Sequence, residues 1–498
     1  MGITVMKFGG NAIADSAGIR RVADRAREGI GALNGLGVFG KAGAPSGMNS
    51  VLVVVAAMSG VTDSLFLAAR AAKGADLSVA RRVCSELKAR HLSAARELRP
   101  EGSAETEAEI ESIIAALDSR LQGVRLVGEL SDRNMDEIAA AGERLSSILV
   151  ALALDAPCVD ARTMLRTDSR FGRARPDSVA TARLVTERLL PFLEPGRIAV
   201  TQGYIGSDSL GSTTTLGRGG SDFSASLFGA VLHASEIRIW TDSEGILTGD
   251  PEVVPNARTV EVLGYEEASE LVAFGAKILH PATIRPALDA GIPVTVRSVA
   301  KPQGLFSTIR PGSSSGKAVV AIAMRRNVAV VSVRQELMME QAGFLACLFA
   351  AFGRLGVSVD LVSTSEICVS ISLDMDAPLD RIAVELAELG AVDIMRDRAV
   401  IAVVGDMLKE TPALLRKTFD ALGDVDIDML SMGANDINLS LVLKSEEADD
   451  ALRCLHAAFF GASPGAEAPT PDVPFPGAAE NGGLGSGAPE TGLPREGS

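Results

Sequence analysis

The segment Thr213-Thr-Thr-Leu-Gly-Arg-Gly-Gly-Ser-Asp222 lies between an apolar run at Arg197–Thr201 and a stretch, Phe223–Leu232, whose apolar residues recur at helical spacing. That order dictates a strand, a glycine-rich loop and a helix that opens on the loop. Three glycines surround one arginine, after three hydroxyls and ahead of an acid. Glycine lets backbone N–H groups approach an oxyanion closely, and a helix N-terminus adds partial positive charge, so the loop is built for something anionic.

The same unit recurs through the first 310 residues. Thr4–Phe8 reads as a strand ending in Gly9-Gly10, with a helical stretch from about Asp15 to Ile30. Gly31–Ser50 reads as a loop, followed by the strand Val51–Ala57 and a helical region from about Asp63 to Leu98. Residues 104–154 keep helical periodicity with a break near Asp132–Asn134, and Pro157–Asp160, Ile198–Thr201 and Glu236–Trp240 are strand-like. Strands alternating with helices predict an α/β fold, a three-layer αβα sandwich around a mostly parallel sheet.

Beyond Pro311-Gly-Ser-Ser-Ser-Gly316, a linker by composition, the pattern shortens and repeats. Val328–Val333, Ala342–Leu355, Val357–Ser363, Ile367–Leu373, Leu379–Leu389 and Ala391–Met395 read as βαββαβ. A second round runs through Ala399–Val404, Thr411–Leu422, Asp426–Ser431, Ile437–Leu443 and Glu446–Phe459, one strand short. The apolar stretch Lys317–Met324 is available to supply that strand. The expected division is 1–310, a linker with a possible swapped strand at 311–327, repeats at 328–396 and 397–461, and a Pro/Gly/Glu/Ala-rich tail at 462–498 expected to be disordered.

Composition narrows the function. A net charge of −15 without a Lys/Arg cluster argues against a nucleic-acid partner. The longest clean apolar run, Val51–Met58, is too short for a bilayer, and no basic segment followed by an apolar stretch opens the chain, so the expected location is the cytoplasm. Cys84, Cys158, Cys347, Cys368 and Cys454 stand far apart, which suits buried thiols better than disulfides or a zinc site.

Eight ordered motifs then make the chain resemble the aspartate kinases of the amino-acid kinase superfamily to about residue 461. They are Val5-Met-Lys-Phe-Gly-Gly10, Met58-Ser-Gly-Val-Thr-Asp63, Gly142-Glu-Arg-Leu-Ser146, Thr167-Asp-Ser-Arg-Phe-Gly172, Thr201-Gln-Gly-Tyr204, the arginine–glycine loop, Trp240-Thr-Asp242 and Phe274-Gly-Ala-Lys-Ile-Leu-His-Pro281. The paired repeats look like the tandem ACT domains through which that family senses amino-acid end products. The resemblance implies ATP-dependent phosphorylation of the L-aspartate side chain to 4-phospho-L-aspartate, the first step toward lysine, threonine, methionine and diaminopimelate. It implies ATP with Mg²⁺ as cofactors and a homodimer or higher homo-oligomer. No homoserine dehydrogenase is expected after residue 461.

The chemistry accounts for the residue types. An aspartate carboxylate, with a free pKa of about 3.9, is already an anion at neutral pH and needs no general base to attack a phosphoryl group. It needs positive charge and N–H groups where charge develops on the transferring phosphoryl. Lys7, beside Gly9 and Gly10 at a strand end, is one such cation. Arg218 offers a planar fork for an α-carboxylate, and Glu143 a negative charge for an α-ammonium. By resemblance Lys7 and Lys277 are catalytic cations and Asp222 organises them. On the same ground Thr62, Glu143 and Arg218 hold aspartate, while Gly9, Gly10, Gly219, Gly220, Thr241, Asp242, Leu247 and Ile278 line the nucleotide site. Asp168 is either an N-cap or a weaker site candidate.

Several positions depart from the family pattern. Asn11-Ala12 stands where hydroxyls are usual, Ala56 replaces a usual serine, Leu247 a usual aromatic and Glu252 a usual arginine. Each lost hydrogen bond to a charged group is worth about 1.5–3 kcal/mol. These changes keep two further readings open: a catalytically weak regulatory paralogue, and a kinase with a different acyl acceptor.

Met338, Glu340, Gln341, Phe344 and Leu345, with Ser358, Val359, Asp360, Thr364, Ser365 and Glu366, resemble the effector site of lysine-inhibited family members. Helix-start N–H groups near Gly343–Leu345 suit a carboxylate, and Asp360 with Glu340 a distant ammonium, a pattern that favours L-lysine. Such sites form between two chains.

Overall fold

In the computed structural model, residues 2–31, 49–275, 281–310, 315–336, 342–406, 408, 411–432 and 436–461 are described. The strands are β1 (Ile3–Phe8), β2 (Ser50–Val55), β3 (Cys158–Val159), β4 (Ile198–Gln202), β5 (Ile205–Ser207), β6 (Thr213–Thr215), β7 (Glu236–Thr241), β8 (Val262–Gly264), β9 (Val294–Ser298) and β10 (Ser307–Arg310), then β11 (Ala321–Arg334), β12 (Val362–Thr364), β13 (Cys368–Asp374), β14 (Ala391–Val404), β15 (Ile427–Met432) and β16 (Asn438–Lys444). The helices are α1 (Ser16–Gly31), α2 (Val61–Lys73), α3 (Leu77–Leu98), α4 (Ala104–Val127), α5 (Asp132–Leu154), α6 (Ser178–Arg188), α7 (Gly220–Val231), α8 (Tyr265–Ala273) and α9 (Pro281–Asp289), then α10 (Phe344–Leu355), α11 (Leu379–Leu386), α12 (Pro412–Leu422) and α13 (Ala448–Phe460).

Strand β2 is buried along its whole length, the mark of a strand covered on both faces. It sits near the middle of an eight-stranded sheet ordered β3-β4-β2-β1-β7-β9-β10-β8, antiparallel only between β9 and β10. Side chains alternate between its faces. Val5, Leu52 and Val54 join one core with Phe228 of α7 and Ile284 of α9, whereas Met6, Phe8, Val51, Val53 and Val55 join a second with Ile19, Leu65, Leu87, Leu117 and Leu145 of α1–α5. The result is the three-layer αβα sandwich expected from the sequence.

Local chemistry explains where the sequence reading and the structure differ. The helical region Asp63–Leu98 is two helices, because Gly74 ends α2, Ala75 takes φ 69° and Asp76 caps α3 by accepting from the Ser78 and Val79 N–H groups. The break within 104–154 falls earlier than Asp132: Gly128, φ 72°, closes α4, and Ser131 caps α5 by accepting from Asn134 N. The triplet Thr213–Thr215 is a strand, buried and paired antiparallel with β5. Strands β8, β9 and β10 complete the sheet beyond those expected from the sequence.

The C-terminal part is one antiparallel sheet ordered β12-β13-β11-β14-β16-β15. β11 and β14 pair along nearly their full lengths, from Ala321↔Val404 to Arg334↔Ala391, with irregular register between Arg325 and Val330. Ala321–Arg325 therefore lies against Val400–Val404 of the second repeat, while Val328–Arg334 pairs β13 of the first. The boundaries at 327/328 and 396/397 thus run through the middle of continuous strands. Helices α10 and α11 close one small core, α12 and α13 another.

Candidate active site

A cleft of about 540 Å³ opens where β1, β2 and β4 end, lined by Lys7, Thr62, Glu143, Arg218, Gly219, Gly220 and Asp222 together with Gly172 and Tyr204. Lys7 Nζ lies 2.7 Å from Asp222 Oδ1, and each side chain is only 12% exposed. Asp222 sits in the first turn of α7, whose N-cap Gly219 takes φ 74°. A left-handed N-cap lets the chain turn sharply out of the Arg218 loop into a helix whose first turn brings Asp222 to Lys7. Gly10 approaches the next loop closely: a Cβ there would lie 2.7 Å from the Ala57 carbonyl oxygen.

Glu143, on α5, is 3% exposed. Its Oε1 accepts only a long bond from Ala57 N at 3.4 Å, and Oε2 has no hydrogen-bond partner among the described residues. Desolvation pushes its carboxyl up to about 8. A carboxylate so placed gains when a cation enters the cleft. Ser146 fixes the same turn by donating to the Ala56 carbonyl at 2.6 Å.

Two supporting residues were given no site role from the sequence, although Tyr204 ends one of its motifs. Asp136 stands two helical turns before Glu143 and is 2% exposed. Its carboxylate accepts from Gly172 N at 2.9 and 3.0 Å, Thr215 N at 2.8 Å and Thr215 Oγ1 at 2.7 Å. Burial raises its pKa while these bonds oppose the rise. Asp136 thereby ties α5 to the Thr167–Gly172 loop and to β6, the strand leading into Arg218; an acid on the Glu143 helix was the only available signal. Tyr204 takes φ 68° and its ring packs on Gly220, where a Cβ would lie 2.7 Å from Tyr204 Cδ2. Asp168 caps its own loop, accepting from Arg170 N at 3.2 Å and Arg175 N at 2.9 Å, and is not among the cleft-lining residues.

Beside the cleft, β1 and β7 pair in parallel, and the Phe8 and Trp240 rings stack at 5.9 Å. Thr241 ends β7 and Asp242 follows it. Asn11 links the two sides: its Nδ2 donates to Asp242 Oδ2 at 2.8 Å, and its Oδ1 accepts from Ser59 Oγ at 2.7 Å. The expected loss of hydrogen bonds at this position is thus offset by an amide that makes two. Leu247 is half-buried and bridges Thr259, and Glu252 lies on an exposed turn, its N–H donating to Asp250 Oδ1 at 3.0 Å. Lys277 and Ile278 lie outside the described residues.

Of the effector candidates, Met338, Glu340 and Gln341 lie outside the described residues. Gly343 caps α10 with φ 93°, and Leu345 is 43% exposed. The Phe344 side chain belongs to the core of its repeat, leaving only its backbone at the helix start. Ser358 and Glu366 are exposed, and Val359 packs against that core. Thr364 pairs with Val369, and Ser365 Oγ accepts from Cys368 N at 3.1 Å. Asp360 already holds a cation, pairing with Arg325 Nη2 at 2.5 Å.

The amino acid kinase family model matches residues 2–298, and an ACT domain model residues 401–459. Lysine-sensitive aspartokinase 3 of Escherichia coli is 33% identical over 92% of this chain and 99% of its own length; chloroplastic aspartokinase 1 of Arabidopsis thaliana is 31% identical over 92% and 80%. The E. coli aspartokinase III structure with aspartate and ADP (R-state) superimposes with a TM-score of 0.77 at 32% identity, covering 92% of this chain and 100% of that one. The structure with lysine and aspartate (T-state) gives 0.74 at 32%, covering 92% and 99%. No helix of the described residues is long and apolar enough to cross a membrane.

Proposed function

Because the chain belongs to the aspartokinases of the amino acid kinase family and carries C-terminal ACT domains, we propose residue roles for the reaction of that family, transfer of the ATP γ-phosphoryl to the L-aspartate side chain. The observation that carries them is the convergence of Lys7–Asp222 and the buried Glu143 on one cleft. Glu143 takes the α-ammonium, regaining the carboxylate form that burial opposes. Arg218 takes the α-carboxylate and Thr62 lines the same pocket. The aspartate side chain, free to ionise, attacks the phosphoryl without a base.

Lys7 supplies charge to the transferring phosphoryl, and Asp222 holds the ammonium in place and limits the directions in which it points. Gly9, Gly10, Gly219 and Gly220 bring backbone close to phosphate oxygens, and Thr241 and Asp242 receive the nucleotide. Lys277 is the second cation and Ile278 a nucleotide contact. Mg²⁺, bound with the triphosphate, would supply further neutralising charge. The retained Lys7, Glu143, Arg218 and Asp222, with Asn11 bridging both sides, favour an active enzyme over a silent paralogue. A coupled ADP-release assay with ATP, Mg²⁺ and candidate amino acids tests the reading; aspartate-dependent release is expected, and none with aspartate would overturn it.

L-lysine is the effector, bound around Asp360 between two copies of the chain, so that the protein works as a homodimer or higher homo-oligomer. The lysine-bound T-state of the E. coli relative supports lysine as the effector. Light scattering with and without lysine, beside inhibition curves for lysine, threonine and methionine, tests it. A monomer, or inhibition by threonine alone, would sink it.

A further inference from the structure

The segment between β7 and β8 leaves the end of β7, where Thr241 and Asp242 stand, and alternately enters two cores. Ile246 lies in the core of the eight-stranded sheet, and its N–H donates to Ser307 Oγ at 2.8 Å. Two residues later Thr248 joins the C-terminal sheet: its carbonyl accepts from Ile322 N of β11 at 2.9 Å. Val254 completes the burial, packing with Leu408, Leu452 and Leu455 of that repeat. Thr248 Oγ1 and His456 Nε2 of α13 lie 2.9 Å apart, 208 residues apart in sequence, with His456 1% exposed and Thr248 7%.

The hydroxyl has a second partner besides the imidazole. Thr248 Oγ1 accepts from Arg258 N at 2.9 Å, so its single proton is free to point at His456 Nε2. Burial and the nearby Arg258 charge both disfavour the imidazolium, so His456 is a neutral ring that exchanges one hydrogen bond with Thr248 through Nε2. The ring also lies against the backbone, since a Cβ on Gly249 would come within 3.2 Å of His456 Cδ2. One imidazole therefore fixes both the height and the rotation of the segment as it leaves the nucleotide side.

We propose that His456 of the second ACT repeat is a positioning residue for nucleotide binding, acting through Thr248 on the segment that carries Thr241 and Asp242. The inference rests on the nucleotide role given to that segment above and adds a physical route by which a regulatory repeat acts on it. Such a residue touches no substrate. Its loss loosens the nucleotide side of the cleft and leaves the aspartate side, built on α5 and α7, in place.

The experiment uses the full chain. Thr248→Val keeps the side-chain shape without the hydroxyl, and His456→Leu removes its partner; Thr248→Ser and His456→Gln retain a hydrogen-bonding group at each position. ADP binding with Mg²⁺ is measured by calorimetry, alongside KM for ATP, KM for aspartate and kcat, in proteins whose thermal unfolding is checked first. Thr248→Val and His456→Leu are expected to weaken ADP and raise the ATP KM by about three- to tenfold, the span of one net hydrogen bond, with aspartate KM unchanged. The double variant is expected to be no worse than the weaker-binding single variant. Thr248→Ser and His456→Gln are expected to stay near the parent. Parent-like ADP affinity in Thr248→Val, an equal loss on the aspartate side, or no rescue by Thr248→Ser overturns the proposal. If His456→Leu does not fold, the Thr248 pair decides. A parent that binds ADP without phosphorylating aspartate sinks the kinase reading, while the ADP arm still decides this one; a parent that binds no ADP overturns both.

Discussion

Asn11 Nδ2 donates to Asp242 Oδ2 at 2.8 Å, joining the turn after β1 to the end of β7 across 231 residues of sequence. The same amide accepts from Ser59, so the loops that precede α1 and α2 and the loop that follows β7 are held by one side chain. Replacing it with alanine removes both bonds. Asn11→Ala is expected to raise the ATP KM and lower kcat/KM by about tenfold, with an unchanged unfolding midpoint because the site is exposed. Steady-state kinetics at saturating aspartate check it; parent-like values would mean that the bridge is incidental.

Lys7→Ala is expected to lower kcat by at least about a hundredfold while ADP still binds and the fold survives. The charge acts on the phosphoryl in the transition state, and the substitution removes little apolar packing. Single-turnover phosphate transfer with circular dichroism as a control measures both. Near-parent turnover would contradict the role given to Lys7.

Burial holds Glu143 at about 8, so the substrate-free protein carries a protonated carboxyl through neutral pH. Aspartate binding through its ammonium requires the carboxylate, so the aspartate kcat/KM is expected to rise with pH and level off above about 8. Binding at pH 7 releases a proton, readable by calorimetry in buffers of different ionisation enthalpy. Because the folded pKa lies above the ordinary 4.5, this group's contribution to the stability of the free protein is greatest below 4.5 and declines as pH rises toward 8. Glu143→Gln should lose both the profile and the proton release.

Arg325 Nη2 holds Asp360 at 2.5 Å, and its Nη1 lies 3.5 Å from Asp374. Under the lysine reading, the effector ammonium competes with this guanidinium. Arg325→Ala is expected to lower the lysine concentration for half-inhibition several-fold, a modest gain because the pair is partly solvated. Asp360→Asn is expected to abolish the response. Inhibition curves on both variants decide; unchanged lysine sensitivity in Asp360→Asn refutes the site.

His91 is fully buried on α3, where Nδ1 bonds the Leu87 carbonyl at 2.7 Å and Nε2 has no partner among the described residues. Desolvation lowers its pKa from 6.5 to about 4. The unfolded chain binds a proton there that the folded chain refuses, so stability is full above 6.5 and falls as pH drops toward 4, by about 1 kcal/mol near pH 5.5. Urea unfolding of the parent and His91→Leu at pH 7.5 and 5.5 measures this; equal pH slopes in the two proteins would rule it out.

Glycine turns, apolar runs and the order of motifs were enough to place the α/β layers, the Lys7 strand and the Arg218 loop, because each is written in neighbouring residues whose spacing sets local geometry. The split of α2 from α3 is local too, since it rests on the Gly74–Asp76 cap. Tertiary structure alone decided what those residues face. Glu143 is a perturbed acid only because burial strips it of water against the pull of the Ala57 N–H, and Asp136 matters only because Gly172 and Thr215 converge on it. Asp360 is paired because an irregular β11 carries Arg325 from one repeat to the other, and Thr248 meets His456 because a loop of one domain finishes the core of the next. Charge, desolvation and hydrogen bonding depend on distance in space, and a linear pattern specifies that distance only within an element.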